Sequence, residues 1–351
     1  MDYNKLLGRD PISTDLNTIQ DYIKGKRILV TGGAGSIGSE IVRQLVNFGA
    51  STVTVFDNAE ASMFHLEQEI SRSNPNSHIK YVIGDVRDKY RLEEVFDSFK
   101  PNIVFHAAAY KHVPMMESNP IEAIKTNVLG TMNVSNISYM NEVEKFVMVS
   151  TDKAVNPTNI MGATKRIAEL YTQFLETKSS TKFIVTRFGN VLGSEGSVIP
   201  TFIKQIERGG PVSVTHKEVI RYFMTIPEAC QLVLQASVLG QGGEVFLFDM
   251  GEPVSITDLA KNLIKYFKSK ATIKYIGLRP GEKLYEELLC NGENMITTKD
   301  KNIMKLNHEE YDFKTLIPKI EKLSKIRSND FYKIILLVKS IVPEFKRETH
   351  E

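Results

Sequence analysis

The chain has 351 residues, 42% hydrophobic and 25% charged, the balance of a globular protein large enough for two lobes or one large α/β unit. A formal net charge of +2 argues against a nucleic-acid surface, and two cysteines, Cys230 and Cys290, both in apolar helical patterns, argue against a disulfide framework or a metal site. The N-terminus lacks a basic-then-apolar signal layout, and apolar runs such as 334–338 are too short to span a bilayer, so a cytoplasmic protein without a transmembrane segment is expected.

Residues 1–25 read as an N-terminal arm, with a short helix near 16–23 and a stretch, Leu6 to Pro11, able to dock on a body. A short apolar run, Ile28-Leu29-Val30, then leads into Thr31-Gly32-Gly33-Ala34-Gly35-Ser36-Ile37-Gly38 and a helical pattern through Ile41, Leu45 and Val46. Strand, glycine turn and helix in that order let the backbone approach a pyrophosphate, whose charge the helix N–H groups favour. A second strand, Thr52 to Phe56, ends at Asp57, nineteen residues after Gly38. A carboxylate there suits the adenosine ribose hydroxyls and would repel a 2′-phosphate, so NAD rather than NADP is expected.

The alternation continues with helices over 60–72, 90–98, 121–138 and 159–176 and strands over 79–83, 103–109, 146–150 and 183–187. Strands alternating with helices predict an α/β fold built on a doubly wound parallel sheet, with ligands beyond the carboxyl ends of its strands. The polar motifs fall at those ends, above all Ser150-Thr151-Asp152-Lys153, with Met161 and Lys165 on the next helix. After about residue 190 the pattern changes to short strands and helices, with helices expected at 227–239, 256–268 and 284–289 and a return strand at 245–249. Residues 291–351 are lysine-rich with helical patterns and carry no recognisable chemistry.

Thr31 to Gly38, Gly84-Asp85-Val86, His106 to Ala109, Asn127, Ser150 and Lys165 together resemble the extended short-chain dehydrogenase/reductase superfamily. Ala109 to Pro114, Ser150 to Asn159, Met161 to Arg166, Arg187 to Gly193 and Arg279 to Lys283 resemble, within it, the UDP-N-acetylglucosamine 4,6-dehydratases of bacterial polysaccharide biosynthesis. The similarity covers roughly residues 1–290, and the chain looks like a short form without the membrane helices of many relatives. It implies a Rossmann domain over 26–190 with a return strand at about 243–249, and a nucleotide-sugar-binding lobe over 191–242 and 250–345.

The resemblance also implies roles. Gly32, Gly35, Ser36, Ile37 and Gly38 would hold the NAD pyrophosphate, Asp57 the ribose, Asp85 and Val86 the adenine. Ala107 and Ala108 would run past the ribose, and Lys165 would hold the nicotinamide ribose. Asn190, Arg221, Arg279 and Glu282 would meet the diphosphate and ribose of a UDP-sugar, with Val198 and Pro200 beside the uracil.

In the implied reaction NAD removes a hydride from sugar C4 and returns it to C6 after water is lost across C5 and C6. Asp152 would be the acid for the C6 hydroxyl and Lys153 the base for the C5 proton, if burial lowers the pKa of Lys153. Met161 stands where most of the superfamily has a tyrosine, and a thioether takes no proton. Thr151, Asp152 or Lys111 would then carry the C4 proton, and the methionine resembles the branch that retains C5 configuration. The competing expectations are a C5-inverting dehydratase, a 4-epimerase, a non-catalytic NAD-binding regulator and a structural partner of a membrane glycosyltransferase. A homo-oligomer paired through helices 121–138 and 159–176 is also expected.

Overall fold

The computed structural model describes residue 12 and residues 14–289, 294–307, 311–327 and 330–347. The whole of the proposed docking stretch of the arm, Leu6 to Pro11, and Cys290 lie outside these. In chain order the elements are α1 (Leu16–Ile23), β1 (Arg27–Thr31), α2 (Ser36–Asn47), β2 (Thr52–Asp57), α3 (Glu60–Ser73), β3 (Ile79–Ile83), α4 (Lys89–Phe99) and β4 (Ile103–His106). Next come α5 (Val113–Ser118), α6 (Pro120–Ala123), a π-helix (Ile124–Gly130), α7 (Thr131–Met140), β5 (Lys145–Val149), a 3₁₀ turn (Asp152–Ala154), α8 (Ile160–Glu176) and β6 (Lys182–Arg187). The remainder is β7 (Asn190–Leu192), α9 (Val198–Glu207), β8 (Val212–Val214), β9 (Ile220–Arg221), β10 (Phe223–Thr225), α10 (Ile226–Leu239), β11 (Val245–Phe248) and β12 (Val254–Ser255). It closes with α11 (Ile256–Tyr266), β13 (Ile273–Tyr275), β14 (Met295–Thr297), β15 (Ile303–Leu306), α12 (Phe313–Ser324) and α13 (Phe331–Ile341).

Nine strands form one sheet in the order β14-β15-β11-β6-β5-β4-β1-β2-β3. From β11 to β3 every pairing is parallel, as the βα alternation predicts. Central strands are apolar on both faces, because helices cover both: Leu29, Val104 and Phe146 point to one core, Val30, Phe105 and Val147 to the other. Each such side chain contributes about 1.5–3 kcal/mol by burial. The order reverses between β1 and β4, so a crevice opens at their carboxyl ends, where the glycine turn and Ala107 meet. A smaller core of Leu192, Ile199, Phe202, Val212 and Leu259 gathers α9, α11 and the two-stranded sheets into a second lobe over those ends.

Three features differ from the sequence reading. The helix expected over 121–138 widens into a π-helix at Ile124–Gly130. No helix forms at 284–289, because Arg221 takes the carbonyls of Leu284 (3.0 Å) and Lys283 (2.6 Å), which a helix would need for itself. Residues 295–306 and the helices α12 and α13, expected in the second lobe, belong to the main body instead: β15 pairs antiparallel with β11, and Ile320, Leu323 and Val338 enter the core that holds Ile167 and Leu170 of α8. The chain's own C-terminal helices thus pack on a helix expected to pair with a second copy.

Candidate active site

The glycine turn is shaped by close approach. Gly32 has φ +67°, and a Cβ there would lie 2.5 Å from the Ala108 nitrogen and 2.7 Å from the Ala107 carbonyl carbon. A Cβ on Gly38 would sit 2.0 Å from the Gly32 oxygen. Gly35 starts α2 with no side-chain cap, leaving that helix's first N–H groups available to an anion. The Ser36 hydroxyl accepts from the Glu195 backbone N–H at 3.2 Å, tying the turn to the second lobe, and Ile37 packs on the core beneath. Asp57 closes the turn by accepting from Ala34 N–H (2.9 Å) and Ala59 N–H (3.0 Å), one bond per oxygen. Each oxygen keeps lone-pair capacity for a diol.

Asp85 is held by Arg87 and by Asn58 at 3.1 Å. Burial would raise its pKa, but these bonds outweigh it and lower it. Val86, expected beside adenine, packs its side chain against Gly130, where a Cβ would lie 2.6 Å from Val86 Cγ2. His106 is a satisfied core residue: Thr31 Oγ1 lies 2.7 Å from Nδ1 and Thr131 Oγ1 2.9 Å from Nε2, and burial, aided by the Lys165 charge, lowers its pKa to about 3. Asn127, in the π-helix, grips both backbone groups of Tyr110 and the Thr164 hydroxyl.

At the carboxyl end of β5 the chain turns sharply, and alternate residues of Ser150 to Lys153 face different surroundings. Ser150 donates to Glu169 at 2.5 Å, inside a buried cluster with Arg187. Thr151 donates to Asp152 Oδ1 at 2.9 Å. Asp152 is fully buried; its N–H is held by the Phe188 carbonyl, while Oδ2 has no hydrogen-bond partner among the described residues. Burial raises its pKa, and the charge of Lys153 only partly opposes this. Gly189 makes room, since a Cβ there would lie 3.0 Å from Asp152 Oδ2.

Lys153 Nζ lies 3.0 Å from Asp152 Oδ1, 3.4 Å from Asn190 Oδ1 and 3.5 Å from Glu286 Oε1. Burial alone would lower its pKa, as expected from the sequence, but the two carboxylates outweigh burial and raise it. The lysine that is lowered is Lys165, brought to about 8 by burial despite Glu169, with Nζ donating to the Val149 carbonyl at 2.7 Å. Met161, one helical turn before it, is buried in the apolar core. Lys111 is lowered by the surrounding protein and faces the charge of Glu195; no ion pair or hydrogen bond joins it to Asp152 or Lys153.

In the second lobe Arg221 is committed to protein partners: the carbonyls of Ile220, Lys283 and Leu284, Glu282 at 3.7 Å and Glu286 at 3.4 Å. Arg279 is exposed and pairs with Glu282 at 3.2 Å; Glu282 also accepts from Thr215. Val198 and Pro200 lie half-buried at the start of α9. The structure therefore brings Thr151, Asp152, Lys153, Asn190 and Arg221 into one connected cluster, which Glu282 extends to exposed Arg279, and joins Lys111 to none of its ion pairs. The sequence reading missed Glu286, which joins Lys153 to Arg221; its only sequence signal is an acid pair, Glu286-Glu287, four residues after Glu282. Among the described residues, no group of three or more His, Cys, Asp or Glu is placed to hold a metal, and no helix is long and apolar enough to cross a membrane.

Comparison with known proteins follows the same lines. Residues 28–308 match the family described as "Polysaccharide biosynthesis protein". The chain is 57% identical over 294 residues to the capsular polysaccharide biosynthesis protein CapD of Staphylococcus aureus, covering 82% of this chain and 49% of that one. It is 51% identical over 293 residues to the probable polysaccharide biosynthesis protein EpsC of Bacillus subtilis, with the same coverage. The chain thus spans about half the length of these two relatives. It is 36% identical over 300 residues to an inverting UDP-N-acetylglucosamine 4,6-dehydratase of Campylobacter jejuni, covering 82% and 86% of the two chains. Among solved structures, Pen from Bacillus thuringiensis superposes with a TM-score of 0.76 at 38% identity, covering 81% of this chain and 90% of that one.

Proposed function

The chain belongs to the polysaccharide biosynthesis protein family, and from that premise we propose that it is a nucleotide-sugar 4,6-dehydratase acting on UDP-N-acetylglucosamine with retention at C5. The observation that carries the reading is the pair at the end of β5: a buried Asp152 with one free oxygen and a raised pKa, in contact with Lys153 at 3.0 Å. Similarity over most of both chains to a named dehydratase supports the dehydration; that relative is an inverting one, and the proposed retention at C5 rests on Met161 standing where most of the superfamily has a tyrosine.

The cradle fits a dinucleotide. Gly32, Gly35, Ser36, Ile37 and Gly38 would hold its pyrophosphate, Asp57 its ribose hydroxyls, Ala107 and Ala108 would pass the ribose, and Lys165 would hold the nicotinamide end. NAD, when bound, supplies hydride acceptance and return at no net change of oxidation state. Asn190, Arg279, Glu282, Val198 and Pro200 are the residues we assign to the UDP portion, together with Arg221 once an anion competes for its guanidinium.

Lys153 enters the reaction charged, so its role as a base needs a proton outlet. Asp152 provides one. Passing a proton from Nζ to Asp152 converts an ion pair into an acid and an amine with no change in net charge, and a site closed over substrate favours the neutral pair. The amine then takes the C5 proton and the acid protonates the departing C6 hydroxyl, so that one water leaves. Thr151, hydrogen-bonded to Asp152 and half-buried, is the relay through which the C4 hydroxyl proton leaves for solvent, and one proton from solvent restores the Asp152–Lys153 ion pair after Nζ has returned its proton to C5; buried Met161 has no lone pair basic enough.

The test is incubation with UDP-N-acetylglucosamine without added cofactor, followed by mass spectrometry and NMR of the product. Loss of one water, with unchanged C5 configuration, is expected. Unchanged mass with an inverted C4 would mean a 4-epimerase, and inversion at C5 the other dehydratase branch.

A further inference from the structure

Glu286 has no role in the scheme above, yet it is one of the most enclosed charges outside the main sheet. Its side chain is 5% exposed, with Oε1 3.5 Å from Lys153 Nζ and 3.4 Å from Arg221 Nε. The segment that carries it is fastened to the loop that carries Lys153. Thr158 and Asn159 side chains both donate to the Gly281 carbonyl at 3.0 Å, and Lys283 Nζ donates to the Val155 carbonyl at 3.1 Å. Asn156 donates to Glu287 at 3.2 Å. Gly281 marks the closest approach: its φ is +75°, and a Cβ there would lie 2.6 Å from Asn159 Cβ. The loss of helix at 284–289 is what turns Glu286 inward, since Arg221 holds the carbonyls of the two residues before Tyr285.

We propose that Glu286 is a positioning residue that holds the Lys153 ammonium at the reacting end of the site and ties it to Arg221 of the second lobe. A flexible lysine stem has many rotamers, and two carboxylates on different elements, with Asn190, leave it one place to stand. The charges facing Lys153 are Asp152 on its own turn, Glu286 from the latched segment and Arg221 from β9; those facing Glu286 are Lys153, Arg221 and Lys283. Of these, Glu286 is the one that reaches Lys153 without belonging to its turn and that also favours its charged form. Removing that charge makes Lys153 lose its proton at lower pH. The value of this for turnover rests on the reading of Lys153 as a proton-transfer residue; the positioning itself does not.

The experiment has two readouts on the full chain. The first is the pH dependence of Lys153 acylation by limiting acetic anhydride, followed by peptide mass spectrometry, which needs no turnover. Glu286→Gln is expected to move the Lys153 titration down by about one pH unit or more. Glu286→Asp keeps the charge one methylene further back and gives a smaller shift in the same direction, so the question stays answerable if the glutamine variant fails to fold. The second is the pH profile of turnover, whose Lys153-dependent limb moves to lower pH by the same amount. An unmoved Lys153 titration in the folded variants overturns the proposal. A moved titration in a protein that never converts a UDP-sugar upholds the positioning and removes the dehydratase reading instead.

Discussion

Glu169 and Asp152 are both fully buried carboxylates next to cations, and their hydroxyl neighbours Ser150 and Thr151 are consecutive in the chain. Glu169 accepts from Ser150 and from Arg187 through both oxygens, and Arg166 adds a further contact at 3.3 Å. Burial would raise its pKa, but those partners outweigh it and lower it. Asp152 has its hydrogen bonds on one oxygen only, and burial prevails. One carboxylate is a finished structural link between α8 and β6; the other keeps an unpartnered oxygen and a raised pKa, which the proposed proton transfer needs. The difference arises from how many donors converge on each, since the depth of burial is the same.

The largest effect that tests this contrast is on turnover. Asp152→Asn is expected to lower it by about 1,000-fold or more in a steady-state assay, with NAD still bound by absorbance and the melting midpoint at pH 7 unchanged or raised. The midpoint follows from sign: a carboxyl raised on folding contributes stability below its unfolded pKa and loses it as pH rises, so a neutral amide removes a penalty at pH 7. Activity within tenfold of the parent would take Asp152 out of the chemistry.

Glu169→Gln should do the reverse. It takes the carboxylate charge away from Arg187, a fully buried cation, and is expected to destabilise the fold by about 3–5 kcal/mol in denaturant titrations. Because Glu169 is lowered on folding, its contribution is complete above its ordinary 4.5 and lost as pH falls below it. A change under about 1 kcal/mol would mean the cluster is not a structural link. Gly189→Ala, which brings a methyl to the free oxygen of Asp152, is expected to reduce turnover about tenfold with little change in unfolding midpoint. The smallest effect is Met161→Tyr: kcat should rise less than about threefold, because the C4 proton already has a route through Thr151. A larger rise would show a vacant role at that helix position.

Much of this was legible in the residues. Asp57, Asp152 and Lys165 stand at strand ends and on a helix face that the apolar periodicity placed within a residue or two. The π-helix was not legible, since Ile124, Val128 and Met132 are equally spaced for an ordinary helix, and the insertion shows only in where Asn127 and Gly130 must reach. Strands β14 and β15 are short and partly exposed, with too little alternation to announce themselves. Glu286 was hidden because Glu286-Glu287-Leu288-Leu289 reads as an amphipathic helix. Only the tertiary bonds from Arg221 undo that helix, and no local propensity encodes them.

The central claim is that Asp152 and Lys153 carry out an elimination on the sugar, and deuterium at C5 reports it most directly. Wild-type protein turned over with UDP-N-acetylglucosamine in deuterated water should give a dehydrated product with one deuterium at C5, and neither Asp152→Asn nor Lys153→Met should yield label in product or in recovered substrate. A dehydrated product without deuterium at C5, or full labelling by either variant, would contradict the account.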